Sequence, residues 1–108
     1  MLAPTVTGVC PVVSAVFDDA GAVDLSGFAS MCRYVVGSGV DSLMVFGVAT
    51  ENAKLNDLER SAMLDTLVRE RASAPVSIVA TVADHSTELA TARAQEWVEA
   101  GADIINIL

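Results

Sequence analysis

The stretch Leu43-Met44-Val45-Phe46-Gly47-Val48-Ala49-Thr50-Glu51-Asn52-Ala53-Lys54-Leu55-Asn56-Asp57-Leu58-Glu59-Arg60 decides the fold. Its first four residues form an unbroken apolar run, the pattern of a strand buried on both faces of a parallel sheet. A short polar loop follows. Asn56 and Glu59 then stand three residues apart, the spacing of a capping box that opens a helix. In α/β folds, ligands settle on the loop just past the carboxyl end of such a strand. Free backbone N–H groups and a helix N-terminus there favour an anion. The segment from Phe46 to Leu55 is therefore the candidate functional loop.

Working outward from it, apolar periodicity switches repeatedly between strand and helix. Val9 to Val16 is rich in β-branched residues and reads as a first strand. Asp18-Asp19-Ala20-Gly21 is a turn, and Asp24 can cap the helix that follows. In that helix Leu25, Phe28, Ala29, Cys32, Val35 and Val36 share one face, and Gly37 and Gly39 end it. Ser42 to Gly47 is the second strand. The next helix buries Leu64, Leu67, Val68 and Ala72 and stops before Pro75. Val76 to Val82 reads as a third strand. Ser86 or Thr87 begins a third helix with Ala90, Ala94, Trp97 and Val98 inward and Gly101 at its end. Asp103 to Leu108 starts a fourth strand.

An internal echo supports this alternation. Gly39-Val40-Asp41-Ser42-Leu43-Met44-Val45 resembles Gly101-Ala102-Asp103-Ile104-Ile105-Asn106-Ile107, 62 residues later. In each, a glycine closes a helix, an aspartate follows and an apolar strand begins. The offset equals two βα units of roughly 30 residues. Right-handed crossovers place all three helices on one side of the sheet. The expected class is α/β, a partial TIM (β/α)8 barrel of four parallel strands and three helices. A whole barrel needs about 250 residues, so residues 1–108 are expected to be the N-terminal half of one barrel domain, cut in its fourth strand. The rival is a self-sufficient, open four-stranded α/β domain.

Composition sets the outer limits. Of the 108 residues 53% are hydrophobic, and the mean hydropathy is +0.52. That is high for a free-standing domain of this size, which suggests that something else covers part of its apolar surface. A formal charge of −8 and a pI near 4.2 argue against nucleic acid or an anionic membrane as partner. Cys10 and Cys32 have no CxxC spacing and no histidine at ligand spacing, so they read as buried reduced thiols in a cytoplasmic protein. The apolar N-terminal run lacks a preceding Lys or Arg, and Pro4, Gly8 and Pro11 interrupt it. It is a poor signal peptide and too short to span a bilayer.

The residues resemble the dihydrodipicolinate synthase and N-acetylneuraminate lyase family of pyruvate-handling class I aldolases. Phe17-Asp18-Asp19-Ala20-Gly21-Ala22-Val23-Asp24 is similar to the family's turn and first helix start. Gly39-Val40-Asp41-Ser42-Leu43 resembles its approach to the second strand. Gly47-Val48-Ala49-Thr50-Glu51 stands where the family has Gly-Thr-Thr-Gly-Glu, and Leu55-Asn56-Asp57-Leu58-Glu59-Arg60 resembles its Leu-Ser-x-x-Glu-Arg helix opening. The resemblance implies a small 2-keto acid substrate, no cofactor and a homo-oligomeric full-length protein. It implies substrate contacts at Val48, Ala49 and Thr50, where the family holds the keto-acid carboxylate through backbone N–H groups and a threonine hydroxyl.

The departures bear on chemistry. Val48 and Ala49 replace two threonines, which removes a carboxylate donor and a member of the family's proton relay. Ala15-Val16 replaces a usual Thr-Pro. Thr50, at the family's glycine position, could return one hydroxyl from a shifted direction. A class I aldolase also needs a lysine amine to form an iminium. The family's lysine and its main acid/base tyrosine correspond to positions after Leu108. The one lysine present, Lys54, reads as a solvated ammonium, and Tyr34 as an outward residue of the first helix.

The remaining polar residues divide similarly. His85 reads as a solvated loop histidine, and Glu51 as a first-turn carboxylate interacting with N–H groups. Asn106 is either a ligand neighbour inside the barrel or a satisfied internal amide. Asp18 and Asp19 read as a turn rather than a metal pair. A receiver-like module using those aspartates lacks the required aspartate at the end of the third strand and a later lysine. A nucleotide-binding module lacks GxGxxG and P-loop patterns. A truncated half-barrel without chemistry of its own is the remaining alternative to an aldolase or lyase fragment.

Overall fold

Each helix begins where a side chain can satisfy its free N–H groups. In the computed structural model, which describes residues 6–108, Asp24 accepts from the Gly27 N–H and opens α1 (Leu25–Val36). Pro4 of the N-terminal run lies outside the described residues. Asn56 and Glu59 form both halves of the capping box of α2 (Asp57–Arg71). Ser86, rather than Thr87, caps α3 (Thr87–Glu99) through the Leu89 N–H. No helix among the described residues is long and apolar enough to cross a membrane.

Three strands, β1 (Ser42–Val45), β2 (Ser77–Val82) and β3 (Ile104–Ile107), form a parallel sheet in the order β1-β2-β3. Side chains alternate between faces along a strand. Leu43, Val45, Ile78, Ala80 and Val82 accordingly join Phe28 and Cys32 of α1, Met63, Leu64 and Leu67 of α2, and Trp97 of α3 in one core. The alternate set includes Met44, Val79, Thr81 and Asn106, with Thr81 opposite Asn106 in the β2–β3 register. The fold is thus a strand-helix alternation with its helices on one side of a parallel sheet.

The expected first strand is much shorter than Val9 to Val16. It contributes a single parallel bridge, Val12 to Met44, made by Val13 N–H to Met44 O and Met44 N–H to Pro11 O, both 2.8 Å. Continuing the ladder backward would need an N–H from Pro11, which has none. Continuing it forward would need Phe46 N–H on Val13 O. The Thr50 side chain occupies that place: its hydroxyl accepts from Phe46 N–H at 3.1 Å and donates to Val13 O at 2.6 Å.

Helix faces differ from the expected set in three places. Leu25, at the start of α1, and Val98 are exposed, by 38% and 54%, and Ala72 is an exposed C-cap at φ +47° rather than a core residue. Asp18 serves the turn, its carboxylate accepting from the Ala20 and Ala22 N–H groups. Both cysteines are free. Cys32 is buried, whereas Cys10 is only partly so.

Two outcomes follow for stability. Gly101 sits at φ +117° just past α3, and a Cβ there would lie 2.8 Å from Val68 Cγ2. The β-branched valine has little rotamer freedom to yield, so Gly101→Ala should cost about 1–3 kcal/mol, read as a lower urea midpoint at unchanged slope. Burial first, and the Glu70 charge second, push the Cys32 thiol from 9.0 up to about 12. The folded thiol therefore keeps its proton after the unfolded one has lost it, and stability falls as pH rises from 9 toward 12. At pH 8 iodoacetamide should modify Cys10 in the native protein and reach Cys32 only after unfolding, as peptide mass mapping would show.

Candidate functional site

The loop after β1 turns sharply at Phe46, whose φ of +69° is unusual for an aromatic residue. Two contacts hold it there. The Thr50 hydroxyl takes its N–H, and its ring is fully buried and stacks on Trp97 at a centroid distance of 4.8 Å. Gly47 follows in extended conformation, packed near Met44, Val12 and the Thr81 hydroxyl. Val48–Thr50 then forms one 3-10 turn and Asn52–Lys54 a second, joined by Glu51 in the left-handed region at φ +61°.

The first turn separates the three residues singled out by sequence. The Val48 and Ala49 side chains are exposed, Val48 by 80%. A helix start leaves its leading N–H groups without intrahelical partners. Among the described residues neither the Val48 nor the Ala49 N–H has an acceptor, whereas Thr50 N–H bonds to Gly47 O and Glu51 N–H to Val48 O. Thr50 is 0% exposed. Its single hydroxyl proton lies on Val13 O, so the backbone amides are the donors that the loop keeps free.

A second set of contacts holds the far end of the loop. Arg60, in the first turn of α2, donates Nε to Asn52 Oδ1 and Nη2 to the Asn52 carbonyl, both at 2.9 Å. Its Nη1 reaches Asp57 at 3.0 Å. Asp57 also accepts from Arg93 of α3, which in turn reaches Asp84 after β2 and Glu96. Arg93 lies over Trp97, 5.3 Å from the ring centroid. Burial works against its charge, but hydrogen bonds and Coulomb attraction from Asp84 and Asp57 outweigh that and raise its pKa above the ordinary arginine value. Arg60, Arg93, Asn52, Asp84, Thr81 and Trp97 line a small polar cavity of about 90 Å³. Of this network, the sequence pattern points only to Trp97, as a core residue. The Arg60 in the loop-to-helix motif was the one available signal.

Beside the loop lies a larger cavity of about 330 Å³, over the carboxyl ends of all three strands. Phe46, Gly47, Val48 and Ala53 line it with Ala83 after β2 and Leu108 after β3. Lys54 stands at its rim, exposed and paired with Glu51 Oε1 at 3.0 Å. The Glu51 carboxylate is thus found on Lys54, not on helix N–H groups as expected. His85 is exposed, and Tyr34 points outward from α1 at 78% exposure. Asn106 is half-buried on the sheet face opposite the helices, where its amide donates to the Thr81 hydroxyl at 3.2 Å.

Comparison with known proteins agrees with this architecture. Residues 5–108 match the Dihydrodipicolinate synthetase family. A 4-hydroxy-tetrahydrodipicolinate synthase of Prochlorococcus marinus is 37% identical over 87 residues, 81% of this chain and 28% of that protein. An L-2-keto-3-deoxyarabonate dehydratase of Azospirillum brasilense is 26% identical over 94% of this chain and 33% of its own length. In structure, a dihydrodipicolinate synthase from Rhodopseudomonas palustris superposes with TM-score 0.85 at 22% identity, covering 98% of this chain and 35% of that one. An N-acetylneuraminate lyase from Mycoplasma synoviae superposes with TM-score 0.80 at 18% identity, covering 91% and 34%. The chain therefore spans about a third of the length of the relatives it matches. Its three parallel strands and three helices match the start of the TIM barrel of those proteins, and the chain belongs to the dihydrodipicolinate synthetase family.

Proposed function

We propose that this chain supplies the carboxylate-holding part of an aldolase or lyase acting on pyruvate or a related 2-keto acid. The observation that carries the reading is the pair of unengaged N–H groups at Val48 and Ala49, past the carboxyl end of β1. Backbone N–H groups suit a carboxylate because they donate without carrying charge and survive any substitution except proline. Pyruvate would place its carboxylate there, leaving its ketone free. A lysine amine from outside these 108 residues would add to the ketone carbon and expel water, giving an iminium that draws electrons from the adjacent bond. No metal or organic cofactor is needed for that step. We place the protein in the cytoplasm, as a homo-oligomer in its full-length form.

One observation favours a second reading, in which the site binds a keto acid without turning it over. Val48 and Ala49 have no hydroxyl, and the Thr50 hydroxyl donates to Val13 O. The loop therefore has no hydroxyl left for a proton relay. A hydrogen bond to a charged group is worth roughly 1.5–3 kcal/mol, so binding is weakened, and a relay would have to come from elsewhere.

Borohydride trapping with pyruvate tests both readings. The 108-residue chain should give no adduct. The full-length protein should gain one reduced adduct, pyruvate less water plus two hydrogens, on a lysine outside this segment. An adduct on Lys54 would overturn the placement of the chemistry. Pyruvate binding by calorimetry without any trapped adduct would decide for the non-catalytic reading.

A further inference from the structure

We infer that Thr50 is a positioning residue, whose hydroxyl acts as a rung of the sheet and thereby sets where the Val48 and Ala49 amides stand. The inference rests on the carboxylate-holding role proposed above for its link to affinity. Its structural half stands on geometry alone.

In the parallel register set by Val13 N–H to Met44 O and Met44 N–H to Pro11 O, the next hydrogen bond would run from Phe46 N–H to Val13 O. The Thr50 hydroxyl stands between those two atoms, at 3.1 Å from one and 2.6 Å from the other. It satisfies both, but it keeps the two backbones farther apart than a direct bond would. That separation lets Phe46 leave the strand at φ +69° and lets the 3-10 turn begin at Val48. Phe46, Val13 and Thr50 are each at most 1% exposed, so water cannot replace the hydroxyl without repacking. A chain without this hydroxyl has two courses. It leaves two buried polar groups unpaired, or Phe46 moves onto Val13 and carries Val48 and Ala49 with it. Either course changes the loop.

Threonine serves here where valine would not, although the two have nearly the same shape. Serine keeps the hydroxyl and loses only a methyl group. Comparing the two variants therefore separates the hydrogen bonds from the packing.

The experiment uses the full-length protein with Thr50→Val and Thr50→Ser. Hydrogen–deuterium exchange is followed by mass spectrometry on peptides covering 44–51, and the half-saturating pyruvate concentration by borohydride trapping or calorimetry. Thr50→Val should speed exchange of the Phe46-containing peptide at least about tenfold and raise half-saturation about tenfold. Thr50→Ser should stay within about twofold of the parent on both. Unchanged exchange across residues 44–51 together with unchanged half-saturation in a folded Thr50→Val protein would overturn the inference. So would a serine variant as impaired as the valine one, which remains informative if the valine variant fails to fold. Should the parent bind no pyruvate, the proposed function fails, and the exchange comparison still decides the role of Thr50. Faster exchange with unaltered pyruvate affinity would refute the positioning role.

Discussion

The shape of the candidate site depends on one buried hydroxyl. Thr50 Oγ1 joins the nearby Phe46 N–H to Val13 O, 37 residues before it in sequence. Leaving a buried donor or acceptor unpaired costs roughly 1–3 kcal/mol, and here two backbone groups depend on the same atom. The contact also stops the sheet. Without a terminator, β1 and the preceding segment would keep pairing and the loop would start later. With it, Phe46 takes a left-handed conformation, its ring drops onto Trp97, and the chain turns out over the strand ends. Strain at Phe46 is thus offset by aromatic burial and two hydrogen bonds, a balance typical of sites where backbone geometry serves function.

The other end of the loop is held electrostatically. Arg60 grips Asn52 through both its side chain and its carbonyl, an arrangement that the planar guanidinium makes possible and a lysine could not copy. Asp57 then links Arg60 to Arg93, and Arg93 reaches Asp84, so the start of α2, the middle of α3 and the loop after β2 share one network. Exposed ion pairs contribute little singly. Here the arginine side chains are only 17–18% exposed, and each serves several acceptors. The network's main effect is to join the loops after β1 and β2 into one unit. The loop is pinned at residue 50 by the sheet and at residue 52 by the helix, leaving Glu51 to absorb the turn in its left-handed conformation.

Much of this was legible in the sequence because it is local. The caps at Asp24, Asn56 and Ser86 lie within three residues of the groups they satisfy, and the repeated Gly-x-Asp approach to a strand marks the βα period. What escaped is long-range. Val9 to Val16 has the composition of a strand, but strand identity belongs to a pair, and Pro11 on one side and Thr50 on the other remove the flanking bonds. Nothing near Thr50 in sequence reveals that its partner is Val13. Likewise local sequence directs Glu51 to nearby N–H groups, whereas the fold, with Glu51 left-handed, pairs it with Lys54. The Arg93 network joins residues 36 apart and leaves no local signature.

This separation of local from distant also bears on how the loop departs from its family. Holding a carboxylate through N–H groups is a property of backbone position, and side-chain changes at Val48 and Ala49 leave the donors in place. Passing a proton is a property of side chains, and those changes remove it. The threonine that does remain is committed to the backbone, 0% exposed and bonded on both sides. In this chain the loop's one hydroxyl lies at its foundation: Thr50 braces the loop from below, while the exposed leading positions, Val48 and Ala49, carry no hydroxyl. Anion recognition through amides and proton transfer through hydroxyls therefore have separable physical requirements in such a loop. Backbone N–H groups stay where the turn puts them whatever the side chains are, whereas a proton relay exists only where a hydroxyl is free.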